Sequence, residues 1–190
     1  MKLYDITGEL FSTPVFPGDP EPKFTFVKDM RYGDDCNLSN LTQCTHNGTH
    51  ADAPKHFINN GITIDEMPLE KFIGPCKVVN VGECIGKEVV EQRIKVSDER
   101  ILFKGACRIT KEGAQALARC KFSLVGVESM SVAVGSDTIP VHRILLRQEI
   151  AILENLDLSS IEEGKYFLTA LPLKMKGLEA SPVRAVLMTV

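Results

Sequence analysis

Three of the chain's four histidines fall within eleven residues, in the run His46-Asn47-Gly48-Thr49-His50-Ala51-Asp52-Ala53-Pro54-Lys55-His56. Even scattering would put roughly 0.2 of a histidine in such a window. Neutral imidazole is the commonest metal ligand near neutral pH, and a carboxylate supplies a hard oxygen beside it. His46, His50 and Asp52 therefore form a sensible three-ligand set. Helical zinc motifs put two histidines four apart on one helix face. Here Asn47-Gly48-Thr49 favours a turn, and Pro54 drives Ala53 out of helical geometry. The run predicts a strand ending near His46, a turn at Gly48, then an extended stretch with His50 and Asp52 on one side. Gly48 lets the backbone double back so that His46 can meet them. His56 lies slightly beyond, better suited to an outer or acid–base role than to first ligation. Two other readings remain: loop histidines bonded to backbone carbonyls, and a Cys44/His46 nucleophilic pair, which has no recognisable orienting acid nearby.

The fourth histidine, His142, stands in Pro140-Val141-His142-Arg143-Ile144, and Glu154 follows twelve residues later. Glu154 closes the apolar run Ala151-Ile152-Leu153, so it should emerge at a strand end, where sites in α/β proteins gather. By spacing alone, a ligand pair and a helix-surface histidine with a solvated carboxylate are equally good accounts.

The elements that must position these groups can be read from periodicity and turn chemistry. Leu3 to Thr7, Lys23 to Lys28, Leu38 to Thr45, Cys76 to Val81, Arg100 to Lys104, Phe122 to Val127, Ile150 to Leu153, Lys165 to Leu173 and Arg184 to Thr189 read as strands. Met67 to Ile73 reads as a short helix. Thr110 to Arg119 reads as a helix capped by Thr110, with Glu112 at its positive end. Pro140 to Arg147 reads as a third, with proline tolerated in the first turn. Strands predominate, which makes the class α/β or α+β.

The chain's 190 residues suit one domain, 1–190, and no repeat or linker divides them. Net charge is −3 with scattered cations, which argues against nucleic acid. No apolar run reaches membrane-spanning length. The opening Met1-Lys2-Leu3-Tyr4-Asp5 has no signal-peptide core, so a cytoplasmic protein is expected. The six cysteines form no Cys-x-x-Cys pair and are expected to be reduced and mostly buried.

The run His-x-Gly-Thr-His-x-Asp-Ala-Pro-x-His resembles the signature of the cyclase family that includes bacterial-type kynurenine formamidases (arylformamidases) and isatin hydrolases. The resemblance spans nearly the whole chain. It takes in Asp5-Ile6-Thr7, Pro17-Gly18-Asp19, Leu124 to Ser129, His142 to Glu154, Leu171-Pro172-Leu173 and Ser181 to Ala185. It implies an α/β fold of the swivelling β/β/α type, assembled as a homodimer or homotetramer. It also implies that His46, His50 and Asp52 bind a first zinc and His142 a second, with Asp52 and Glu154 shared and His56 moving the proton. Some relatives use a single metal, often manganese. The implied activity is metal-dependent hydrolysis of a small amide, with N-formylkynurenine as the leading substrate. Other readings are a lactam or lactone hydrolase, a cyclase or dehydratase, and a metal-binding module without catalysis. A metal held there would lower the pKa of its water from ~15.7 to about 7.

Three departures stand out. Phe16 occupies the position of the family's substrate-contacting Trp, and the chain has no Trp. The stretch between Leu102 and Thr110 is short. Glu128 replaces the Asp of the middle motif, and Ala133 replaces a second Asp. Phe16 could stack on an aromatic substrate or simply pack in the N-terminal region.

Overall fold

The computed structural model describes every residue except Val96, Lys121 and Val190. In chain order the strands and helices are β1 (Leu3–Asp5), β2 (Lys23–Lys28), β3 (Leu38–Thr42), β4 (His50–Asp52), β5 (Ile73–Asn80), β6 (Cys84–Ile85), α1 (Lys87–Arg93), β7 (Arg100–Lys104), β8 (Arg108–Ile109), α2 (Lys111–Arg119), β9 (Leu124–Val127), α3 (Thr138–Arg147), β10 (Ala151–Glu154), β11 (Gly164–Thr169), β12 (Ala180–Pro182) and β13 (Val186–Met188). Nine of the strands form one sheet in the order β1-β13-β11-β5-β7-β9-β10-β4-β12. Its centre, β5-β7-β9-β10, is parallel, and the strands outside it pair antiparallel. The architecture is the β-rich α/β arrangement that the sequence predicts.

Parallel strands buried on both faces need apolar residues on both, and the alternation is clean. Ile101, Phe103, Val125, Val127 and Ile152 face one side and pack with Leu117, Val141 and Leu145 of α2 and α3. Leu102, Leu124, Ala151 and Leu153 face the other side, against Ile6, Phe72, Leu168 and Leu187. Thr110 caps α2 by accepting the Gly113 N–H at 3.1 Å. No helix among the described residues is long and apolar enough to cross a membrane.

Three expectations need correction, and one helix has no counterpart in the sequence reading. The segment Met67 to Ile73 is not a helix: single 3₁₀ turns lie at Ile64–Glu66 and Leu69–Lys71, and β5 already begins at Ile73. Pro68 holds Met67 extended between the two turns. β3 stops at Thr42 rather than near His46. The Asn47 side chain accepts the Cys44 N–H at 2.7 Å, and the Asn47 N–H returns to the Cys44 carbonyl at 3.2 Å, so a turn replaces the strand. α1 was not anticipated. The cysteines are all free thiols, but only Cys76 and Cys107 are buried, and Cys36 and Cys84 are exposed.

Candidate metal centre

β4 lies between β10 and β12 in the sheet and pairs antiparallel with both. The register sets His50 directly opposite Glu154 and Asp52 opposite Ile152. His50 and Asp52 alternate onto the same face as Glu154, the face that α3 covers, and α3 brings His142 down onto them. His46 arrives from the turn before β4. That turn needs a left-handed residue, which Gly48 supplies at φ 62°. His56 arrives from a 3₁₀ turn over Pro54–His56 just after β4. The loop is tied down at Thr49, whose hydroxyl accepts the Gly8 N–H at 2.7 Å and donates to the Asn155 carbonyl. Asn155, itself left-handed at φ 57°, donates its side-chain amide to the Gly48 carbonyl at 3.1 Å.

The two carboxylates divide their oxygens between two groups of imidazoles. Asp52 Oδ1 lies 3.2 Å from His46 Nδ1 and 3.5 Å from His50 Nε2, while Oδ2 lies 3.8 Å from His142 Nε2. Glu154 Oε2 lies 3.4 Å from His50 Nε2, and Oε1 lies 3.3 Å from His142 Nε2. Donor atoms of His50, Asp52 and Glu154 fall within 4.8 Å of one another, as do those of His46, Asp52 and His56. The outward ring nitrogens are held. His50 Nδ1 sits 3.0 Å from the Gly48 carbonyl and His142 Nδ1 sits 2.7 Å from the Thr138 carbonyl. A carbonyl only accepts, so each Nδ1 carries a proton and each Nε2 is the nitrogen turned toward the carboxylates.

The cluster is buried, with Asp52 fully covered and His50, His142 and Glu154 nearly so. Both Asp52 oxygens and His50 Nε2 are buried without a hydrogen-bond partner. Orphaned buried acceptors are costly unless an ion meets them, so this donor set fits a divalent metal. The close packing of carboxylates and imidazoles also shifts their titration. Burial opposes charge on His50, but Glu154 and Asp52 overcome it and raise its pKa to about 9. Burial likewise opposes charge on His142, and Glu154 and Asp52 shift it upward. Asp52 and Glu154 both titrate below the usual carboxylate range, because their histidine neighbours outweigh burial. His56 is shifted down, first by burial and then by the positive potential of His46 and His142. A cavity of about 240 Å³ opens over the cluster, with Phe16, Asp19, Phe57 and Met130 on its walls.

A family model described as "Putative cyclase" matches residues 4–134. The chain belongs to this cyclase family. It is 37% identical, over 98% of its own length and 97% of the relative's, to a protein named kynurenine formamidase from Salinibacter ruber. It is 34% identical, with 98% and 97% covered, to one of the same name from Bordetella avium. A solved potential metal-dependent hydrolase with cyclase activity superposes with a TM-score of 0.85 at 29% identity, covering 98% of this chain and 96% of that one. Isatin hydrolase A from Labrenzia aggregata has the same fold, with a TM-score of 0.84 at 22% identity and 100% and 94% covered. Membership of the cyclase family, with these relatives and the buried donor cluster, makes the chain a metal-dependent amidohydrolase.

Within this cyclase-family site, the structure gathers the seven residues that the sequence offers as ligands, proton carrier and substrate contact. His46, His50, Asp52, His56, His142 and Glu154 form one cluster, and Phe16 lies on the wall of the same cavity, half-exposed. The departures at Glu128 and Ala133 lie elsewhere. Glu128 Oε1 accepts the Leu158 N–H at 2.9 Å and Oε2 accepts the Gly105 N–H, which pins the short β7–β8 turn. Ala133 is simply core. Sequence reasoning missed Glu179, whose Oε1 lies 3.4 Å from His46 Nε2 and accepts the Thr45 hydroxyl at 2.6 Å. It also missed the Thr49–Asn155 tie. Glu179 stands just before Ser181-Pro182, a motif already noted, and that proximity was the only available signal.

Proposed function

We propose that the protein hydrolyses an N-formyl arylamine of the N-formylkynurenine type. In this reading His46, His50 and Asp52 hold a first ion, His142 a second, and Asp52 and Glu154 both. Zinc suits the mixed nitrogen–oxygen donor set, with one or two ions bound, and manganese is the competing choice. The observation that carries the reading is the division of Asp52 and Glu154, each offering one oxygen to the His50 side and one to His142. When bound, the metal supplies an activated water and a Lewis acid for the carbonyl oxygen.

The chain's own residues supply the rest. His56, whose pKa burial shifts below the ordinary histidine value, stands beside the cluster, takes a proton and delivers it to the leaving nitrogen. Glu154 Oε1 also accepts the Val132 N–H at 2.8 Å, which fixes its orientation. Phe16 offers an aromatic face at the cavity wall for the substrate ring. The span 1–190 acts as one unit in this reading, which is supported by β1 and β13 belonging to the same sheet that carries the site.

The protein works in the cytoplasm as a homodimer or homotetramer. The β2–β3 hairpin supports the assembly, because Phe24, Phe26, Val27, Leu38 and Leu41 are exposed on it. The deciding experiment is hydrolysis of N-formylkynurenine by zinc- or manganese-loaded protein, with Asp52→Ala alongside. Turnover that vanishes in Asp52→Ala supports the reading and removes the non-catalytic alternative. A metal-loaded wild type that leaves this substrate intact rejects it in favour of lactams, lactones or a cyclase or dehydratase reaction.

A further inference from the structure

The three inward-facing imidazoles around Asp52 are not held alike. His50 and His142 are steered by main-chain carbonyls on their Nδ1 atoms and present Nε2 to the carboxylates. His46 is turned the other way. Its Nδ1 faces Asp52 Oδ1 at 3.2 Å, and its Nε2 faces the Glu179 carboxylate at 3.4 Å. Glu179 is anchored in turn by the Thr45 hydroxyl at 2.6 Å, one residue before His46. Its main chain is fixed as well, since the Glu179 carbonyl accepts the Ala53 N–H at 2.9 Å directly after β4.

We infer that Glu179 is the positioning residue of His46: its carboxylate accepts the Nε2–H, so that His46 serves the first ion through Nδ1 while the other histidines serve through Nε2. The inference rests on the two-carboxylate metal reading above. A main-chain carbonyl fixes only the direction of a ring. A carboxylate also places negative charge behind the imidazole and makes the opposite nitrogen a stronger donor. The effect should therefore fall on ion affinity and on the tautomer of His46, and not on the fold. Glu179 is one-third exposed, and among the described residues its side chain bonds or pairs with Thr45 and His46, so replacing it leaves the apolar core intact.

The test compares wild type with Glu179→Leu, Glu179→Gln and His46→Ala, using zinc and cobalt(II) as probes. Competition against a chromogenic chelator should show affinity about 10–100-fold weaker in Glu179→Leu. Glu179→Gln keeps an acceptor oxygen and should lose less than about tenfold. Melting temperatures of the metal-free proteins should coincide. Long-range proton–nitrogen NMR spectra of the zinc-loaded wild type should show His46 protonated at Nε2, with His50 and His142 protonated at Nδ1. His46 coordinating through Nε2 would overturn the inference, as would Glu179→Leu with wild-type affinity and an unchanged cobalt spectrum. A metal-free melting temperature lowered in Glu179→Leu and not restored in Glu179→Gln would make Glu179 a structural prop and overturn it too. In these three cases the metal reading survives if His46→Ala still weakens binding. A wild type that binds neither probe sinks both.

Discussion

β4 and the β2–β3 hairpin are both short strands of mixed polarity, yet they end in opposite environments. All three residues of β4 are buried although two of them are His50 and Asp52, while every residue of β2 and β3 is exposed although several are Phe or Leu. The difference is in their neighbours. β4 is flanked by β10 and β12 and roofed by α3, so its polar side chains meet partners instead of water. Among the described residues the hairpin strands pair only with each other, and Phe24 packs against Phe26 at 5.6 Å and against Phe11 of the N-terminal segment at 5.3 Å. Buried charge marks the candidate metal centre, and the exposed apolar surface is the patch proposed above for self-association.

Predictions that sharpen this contrast begin at the floor of the site. His56→Ala should retain its metal by elemental analysis and lose turnover by about 10²–10⁴-fold, the usual worth of a positioned proton-transfer group. A variant that purifies metal-free would make His56 a ligand, a role consistent with its donor atom lying close to those of His46 and Asp52.

Beneath the cluster, Leu153 is fully buried, and Leu153→Ala should cost about 2–5 kcal/mol in chemical denaturation. The matching change in the β2–β3 hairpin, Leu41→Ala, should move the stability of one chain by no more than about 0.5 kcal/mol. Its effect should appear in sedimentation instead, as weaker self-association. Equal costs at the two positions would erase the contrast.

The pH dependence of the metal-free protein gives a further test. The pKa of His50, raised to about 9, means its contribution is fully present below about 6.5 and is lost as pH climbs through 9. The lowered pKa of Asp52 gives the opposite sign, with stability present above about 3.9 and lost as pH falls. The metal-free melting temperature should therefore decline between pH 6.5 and 9. Ion affinity should rise over the same range, because protons leave the ligands. A flat melting profile would mean that folding does not raise the His50 pKa.

Much of this was legible beforehand because it is local. Thr110 caps α2 by its own hydroxyl, Gly48 turns the loop by its own lack of a Cβ, and His50 and Asp52 share a face through strand alternation. α1 was illegible for the same reason. Gly86 gives it no side-chain cap and Val90 is its only buried residue, so neither a start signal nor an apolar stripe was there to read. The pairing of His142 with Glu154 could not be settled by spacing. It depends on α3 folding over the end of β10, a tertiary fact. Glu179 was hidden similarly, since it lies 133 residues from His46 and is joined to it only across the fold.

The tie between Thr49, Asn155 and Gly48 joins the ligand loop to β10 and to the N-terminal segment through bonds that involve no metal donor atom. The loop that carries the ligands is thus fastened by the fold as well as by any ion, so stripping the ion with a chelator should leave the loop's hydrogen bonds protected from amide exchange.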